Sequence, residues 1–153
     1  MKRFVPATAI ALLLAAVAAS GVFAFAASFD YTGQVKGNPT ANIGFNVKRS
    51  AGHPKVADFT IARIPYTCSD APSGATTGWR FVPKMRVQSD RTFSGRGDWV
   101  ELPVDPSGSV SGKLRRGGVA VGDFKIRGEL AGPGTHCRSG LLEWRATKQP
   151  PPT

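Results

Sequence analysis

Lys113 and Arg115 lie two residues apart just before Gly117-Gly118, and Lys125 and Arg127 lie two residues apart after it. In an extended strand, residues two apart share a face, so each pair projects its cations from one side. Gly117-Gly118 supplies the positive φ values of a tight turn, which would fold the two rows together with Asp123 as the only acid in the second. Like charges brought together across a strand pair cost stability. A sequence that keeps them is expected to use them, and the use that fits is binding of an anion. Arg80, Lys84 and Arg86 share parity and form a second outward row. If the rows met on one sheet, they would make an anion-binding face; otherwise each is a solvated strand face.

The acids offer a different chemistry. Two carboxylates roughly 5 to 10 Å apart can cleave a glycosidic bond, and Asp98, Glu101, Glu129 and Glu143 are the candidates. Glu143 and Trp144 adjoin, but neighbouring strand residues face opposite ways, so that couple would not share a site. No catalytic residue is assigned. Trp79 and Trp99 are the candidates for stacking on a sugar face, while Trp144 falls in an apolar row and belongs to the core. There is no G-x-S-x-G, H-E-x-x-H, phosphate loop or C-x-x-C. His53 and His136 read as surface residues. Zinc needs about four ligands, so no metal or other cofactor is expected.

Cys68 and Cys137 are the only cysteines, and the N-terminus decides how they read. Lys2 and Arg3 precede an uncharged run from Phe4 to Phe29 that closes on Ala24-Phe25-Ala26. A basic start, an apolar core and an A-x-A site are the build of a secretory signal. Residues 1–26 are read as that signal, with a retained membrane anchor over residues 4–29 as the alternative. In both cases the following domain lies outside the cytoplasmic membrane, secreted or in the cell envelope. There a lone cysteine pair is expected to form a disulfide. Two of the 20 Lys and Arg and none of the 10 Asp and Glu fall in residues 1–26, so the remainder keeps +8 of the +10 net charge.

The elements that must position these residues read as strands. Residues 27–147 form one domain and the proline-rich 148–153 a disordered tail. Ile43, Phe45 and Val47 alternate with polar residues or Gly, as do Tyr31, Gly33 and Val35 before them. Arg49 to Pro54 reads as a turn, Lys55 to Ile64 as a strand with a bulge or end near Arg63, and Ser69 to Gly78 as a long loop. Trp79 to Ser89 alternates with Phe81, Pro83, Met85 and Val87 on one side. The clearest hairpin spans Ser109 to Gly128, with Val110, Gly112, Leu114, Ala120, Gly122, Phe124 and Ile126 inward. A last strand carries Leu142, Trp144 and Ala146. No window after residue 30 shows a helical period. The expected fold is all-β: a compact antiparallel β-sandwich or barrel of about eight strands, preceded by an apolar N-terminal helix. The disulfide would tie the third strand region to the last.

From Phe93-Ser-Gly95 the pattern continues through Val110-Ser-Gly-Lys-Leu114, Gly118-Val-Ala120-Val-Gly122, Cys137-Arg-Ser-Gly140 and Trp144-Arg-Ala146, with Pro65-Tyr-Thr-Cys68 upstream. It resembles a group of small exported proteins from high-GC bacteria, with Asp123 where a small hydroxyl residue would be expected. The resemblance implies an all-β fold with a Cys68–Cys137 bond and nothing catalytic. The functional expectation is an exported, non-enzymatic domain that binds an anionic cell-surface polymer or glycan rather than nucleic acid. The alternatives are a carbohydrate-active enzyme with a carboxylate pair, or a lipocalin-like carrier holding an apolar ligand inside a barrel.

Overall fold

The computed structural model describes residues 29–50, 52–76, 78–100 and 106–151, with the backbone alone for Ser50, Trp79, Trp99 and Val100. The leader, the alternative anchor and Glu101 lie outside the described residues, as do the side chains of both candidate stacking tryptophans. Among the described residues no helix is long and apolar enough to cross a membrane.

Twelve strands follow in order: β1 (Tyr31–Val35), β2 (Asn38–Ser50), β3 (His53–Ala62), β4 (Pro65–Cys68), β5 (Gly74–Ala75), β6 (Gly78–Phe81), β7 (Met85–Arg86), β8 (Thr92–Val100), β9 (Ser107–Leu114), β10 (Val119–Gly128), β11 (Cys137–Arg138) and β12 (Leu142–Lys148). Every pairing is antiparallel. The sheet runs β12-β1-β2-β3-β6-β8-β9-β10-β11-β4-β5 and curls until β12 also bonds β10. It does not close as a regular barrel. Between β6 and β8 the wall is two residue pairs deep, and β11, β4 and β5 lead off β10 as an arm.

Alternation explains the core. Ile43, Phe45, Phe59, Ile61, Val110, Ala120, Phe124, Ile126, Trp144 and Ala146 are all buried on the inner face, and burying them supplies the main driving force for folding. Phe45, Phe59 and Phe93 surround the Trp144 indole at ring separations of 5.9, 5.5 and 6.2 Å. Gly112 and Gly122 make the room for that indole, because a Cβ on Gly122 would lie 2.6 Å from its Cζ2 and one on Gly112 2.8 Å.

Three features depart from the expected elements. A bulge not expected from the sequence falls at Asp58 (φ 54°), with the register shifting between Gly44 and Asn46, so Val56 and Ala57 are buried in succession. The strand end expected near Arg63 is present: β3 stops at Ala62, and Arg63 follows with φ 58°. The Trp79 to Ser89 strand is split into β6 and β7 around Pro83, which lacks the N–H that a central strand donates. His53 and Pro54 belong to β3 rather than to a turn. Past residue 147, Lys148 donates its N–H to Gly118 O at 2.7 Å and Gln149 to Asp30 O at 2.8 Å.

Candidate functional site

The disulfide joins Cys68 to Cys137, but not across the fold to the last strand. The two half-cystines are directly opposed on β4 and β11. Beside them, a row crosses four strands in register: Ser107 of β9 faces Arg127 of β10, which faces Arg138 of β11, which faces Thr67 of β4. That row floors a cleft of about 660 Å³, walled by Ser69, Glu129, Thr135 and His136. Two guanidiniums therefore stand on adjacent strands, where side chains meet closely. Among the described residues neither forms an ion pair with a carboxylate.

The cleft wall is braced by Asp70. Its Oδ1 accepts the His136 backbone N–H at 2.8 Å and its Oδ2 accepts Nδ1–H of the imidazole at 2.6 Å. The backbone N–H, and then the imidazole, hold the Asp70 carboxyl below its usual range. The hydrogen bond to Asp70, reinforced by its charge, raises the His136 pKa. Ser69 Oγ donates to the His136 carbonyl at 3.4 Å rather than to the ring, so Ser69, His136 and Asp70 lack the nucleophile–base hydrogen bond of a triad. The arrangement is suited to holding an anion between the two guanidiniums, with hydroxyls around them; the His136 charge is matched by Asp70, and Glu129 also lines the cleft. The chain has no match among family models, curated proteins or solved structures. Any functional reading therefore rests on this geometry.

The other expected sites scatter. On the hairpin, Lys113 faces Val121, Asp123 faces Ser111, Lys125 faces Ser109 and Arg127 faces Ser107. The like-charge apposition expected there does not form, because the turn runs Arg116-Gly117-Gly118 and the Arg115 N–H bonds Val119 O at 2.7 Å. Lys113, Arg115 and Lys125 are exposed, outside the residues that line the cleft. Arg86 faces Lys55 of β3 and Arg80 faces Thr60, while Lys84 is exposed between β6 and β7. The two basic rows therefore do not meet. Trp79 faces Ile61 in backbone register, and Trp99 faces Phe81.

Among the acids, Asp98 faces Ser107 and Glu129 lines the cleft. Glu143 faces Asp123 and binds Lys36 Nζ at 2.6 Å. Sequence reasoning found Arg127 but missed Arg138 and Asp70. Alternation past Cys137 would have turned Arg138 outward, but nothing local says which strand it lies beside.

The Asp70–His136 pair carries a pH dependence. The raised His136 pKa adds stability that is complete below the ordinary imidazole value and fades as pH rises through the folded one. The lowered Asp70 pKa adds stability that is complete above the ordinary carboxyl value and fades as pH falls through the folded one. Both are in force between roughly pH 4 and 6.5. The groups are exposed, so the effect is small and screened by salt. In an NMR titration the His136 ring is expected to show a midpoint above that of His in Asp70→Asn. Identical midpoints would remove Asp70 as the cause.

Proposed function

We propose that the chain is an exported, non-enzymatic domain that binds an acidic polysaccharide of the cell surface in the cleft floored by Arg127 and Arg138. The observation that carries this is their direct cross-strand opposition, without an ion-pair partner among the described residues, in a cleft ringed by hydroxyls. Like charges so placed repel, and a bound carboxylate offsets the repulsion with bidentate hydrogen bonds. Ser69, Ser107, Thr67 and Thr135 offer partners to sugar hydroxyls. The signal-like leader and the Cys68–Cys137 bond support placement outside the cytoplasm.

Two observations weigh against the alternatives. A carrier needs an unfilled interior, and here Phe45, Phe59, Phe93 and Trp144 occupy it. A glycosidase needs two acids in one cleft; among the described residues the acids lining this cleft reduce to Glu129.

The test is retention on immobilised polygalacturonate. Arg127→Gln with Arg138→Gln is expected to weaken retention at least tenfold, while Lys113→Gln with Arg115→Gln changes it less than twofold. Retention should fall as salt screens the charges, and as pH rises through the His136 pKa and the Asp70 carboxylate loses its matching charge. Unchanged retention in the Arg127/Arg138 variant would overturn the proposal.

A further inference from the structure

A second set of cations is aligned by register on a different wall. Lys48 of β2 faces Lys55 of β3, and Lys55 faces Arg86 of β7 on its other side. Neighbouring strands lie about 4.8 Å apart, so three cations stand in a line across three strands. Two like-charge appositions are built into the register, and such pairs are destabilising. Only part of the charge is offset: Lys48 Nζ meets Asp58 Oδ2 at 2.8 Å, whereas among the described residues Lys55 and Arg86 have no carboxylate in ion-pair range. The Arg86 guanidinium instead lies 3.2 Å from Nε2 and 3.4 Å from Nδ1 of His53. The imidazole fixes the guanidinium without cancelling its charge. The bulge at Asp58, with its left-handed backbone, places a carboxylate beside Lys48 and leaves the rest of the row open.

The position of this row matters as much as its charge. From β3, the path of pairings to β10 passes β6, β8 and β9 in one direction, and β2, β1 and β12 in the other. Three strands intervene each way, so the row and the Arg127–Arg138 cleft lie on opposite sides of the same core.

We infer that Lys48, Lys55 and Arg86 form a second anion-binding row, and that the domain bridges two segments of acidic polysaccharide, one on each wall. The row stands on its own observations; the bridging rests also on the reading of the cleft. A protein with one such site coats a polymer, whereas one with two opposed sites holds two segments at once and cross-links them.

The experiment uses short and long forms of one ligand. Calorimetric titration with trigalacturonate is expected to give two equivalents for the unmodified protein. One equivalent is expected for Lys55→Gln with Arg86→Gln, and one for Arg127→Gln with Arg138→Gln. With long polygalacturonate, light scattering should peak at a defined protein-to-polymer ratio for the unmodified protein and be at least tenfold lower for either variant. Removing charges that repel should leave the Lys55/Arg86 variant with an unchanged or higher Tm, which shows that its fold is intact. One equivalent in the unmodified protein, still present after Lys55→Gln with Arg86→Gln, overturns the inference and leaves the cleft reading standing. One equivalent lost in that variant but kept in the Arg127/Arg138 variant overturns the bridging and the cleft reading together. No binding at all overturns both.

Discussion

Replacing Trp144 with Ala is expected to destabilise the domain by about 3 to 5 kcal/mol, the range for deleting a large buried aromatic. Trp144 is 2 % exposed and touches rings from β2, β3 and β8. Those strands reach it across the interior, so its loss opens a cavity that several strands would have to move to fill. Its setting leaves little room for repair. Gly122 and Gly112 face each other beneath the indole, and a Cβ on Gly122 would overlap the Ser111 carbonyl as well as the ring. Gly122→Ala is therefore expected to be damaging despite its size. The indole Nε1 is buried and has no hydrogen-bond partner among the described residues. Burying an unmatched donor costs free energy, so Trp144→Phe, which removes that donor and keeps a ring, should lose clearly less than Trp144→Ala. Urea midpoints of the three variants provide the check. A loss below about 1 kcal/mol in Trp144→Ala would mean that the rings do not pack as described.

How much of this was legible in the chain depended on the range of the interaction. The inward row of β10 and the placement of Trp144 were readable, because a period of two is a local signal and one buried face enforces it. The Asp58 bulge was not, since a single residue in the left-handed region is fixed by the strand opposite it rather than by its neighbours. The break at Pro83 was written in the sequence but outweighed by the alternation around it. The candidate site was the least legible part. Arg127 was marked by its own strand, but its partner Arg138 arrives from β11, and Asp70 reaches His136 from 66 residues away. Strand pairing over such distances sets that row. The like-charge apposition expected at the hairpin turn occurs instead in the register of Arg127 with Arg138 and of Lys55 with Arg86, where different strands meet.

Removing the Cys68–Cys137 bond is expected to abolish the cleft before it unfolds the domain. The bond spans 69 residues of sequence, and closing a loop of that length stabilises a fold by about 4 kcal/mol in the chain-entropy model. For a domain of this size that corresponds to a Tm fall of roughly 15 °C in Cys68→Ala with Cys137→Ala. The local effect should come first. The β11 strand is held by two residue pairs to β10 and by two to β4, and ladders that short are marginal without a staple. Once the cross-link is gone, Arg138, Thr67 and the Asp70–His136 bridge lose their fixed positions opposite Arg127, so polygalacturonate retention should vanish at temperatures where β2, β9, β10 and β12 are still folded. Amide exchange would show this as early loss of protection at the Ser69 N–H, bonded to His136 O at 3.1 Å, while Ala120 and Phe124 stay protected. Reductant added to the unmodified protein should reproduce both effects. If the double variant kept full retention and a Tm within a few degrees of the parent, the arm would be holding its own shape. The cleft would then owe its geometry to the pairing of β4 with β11 rather than to the covalent bond between them.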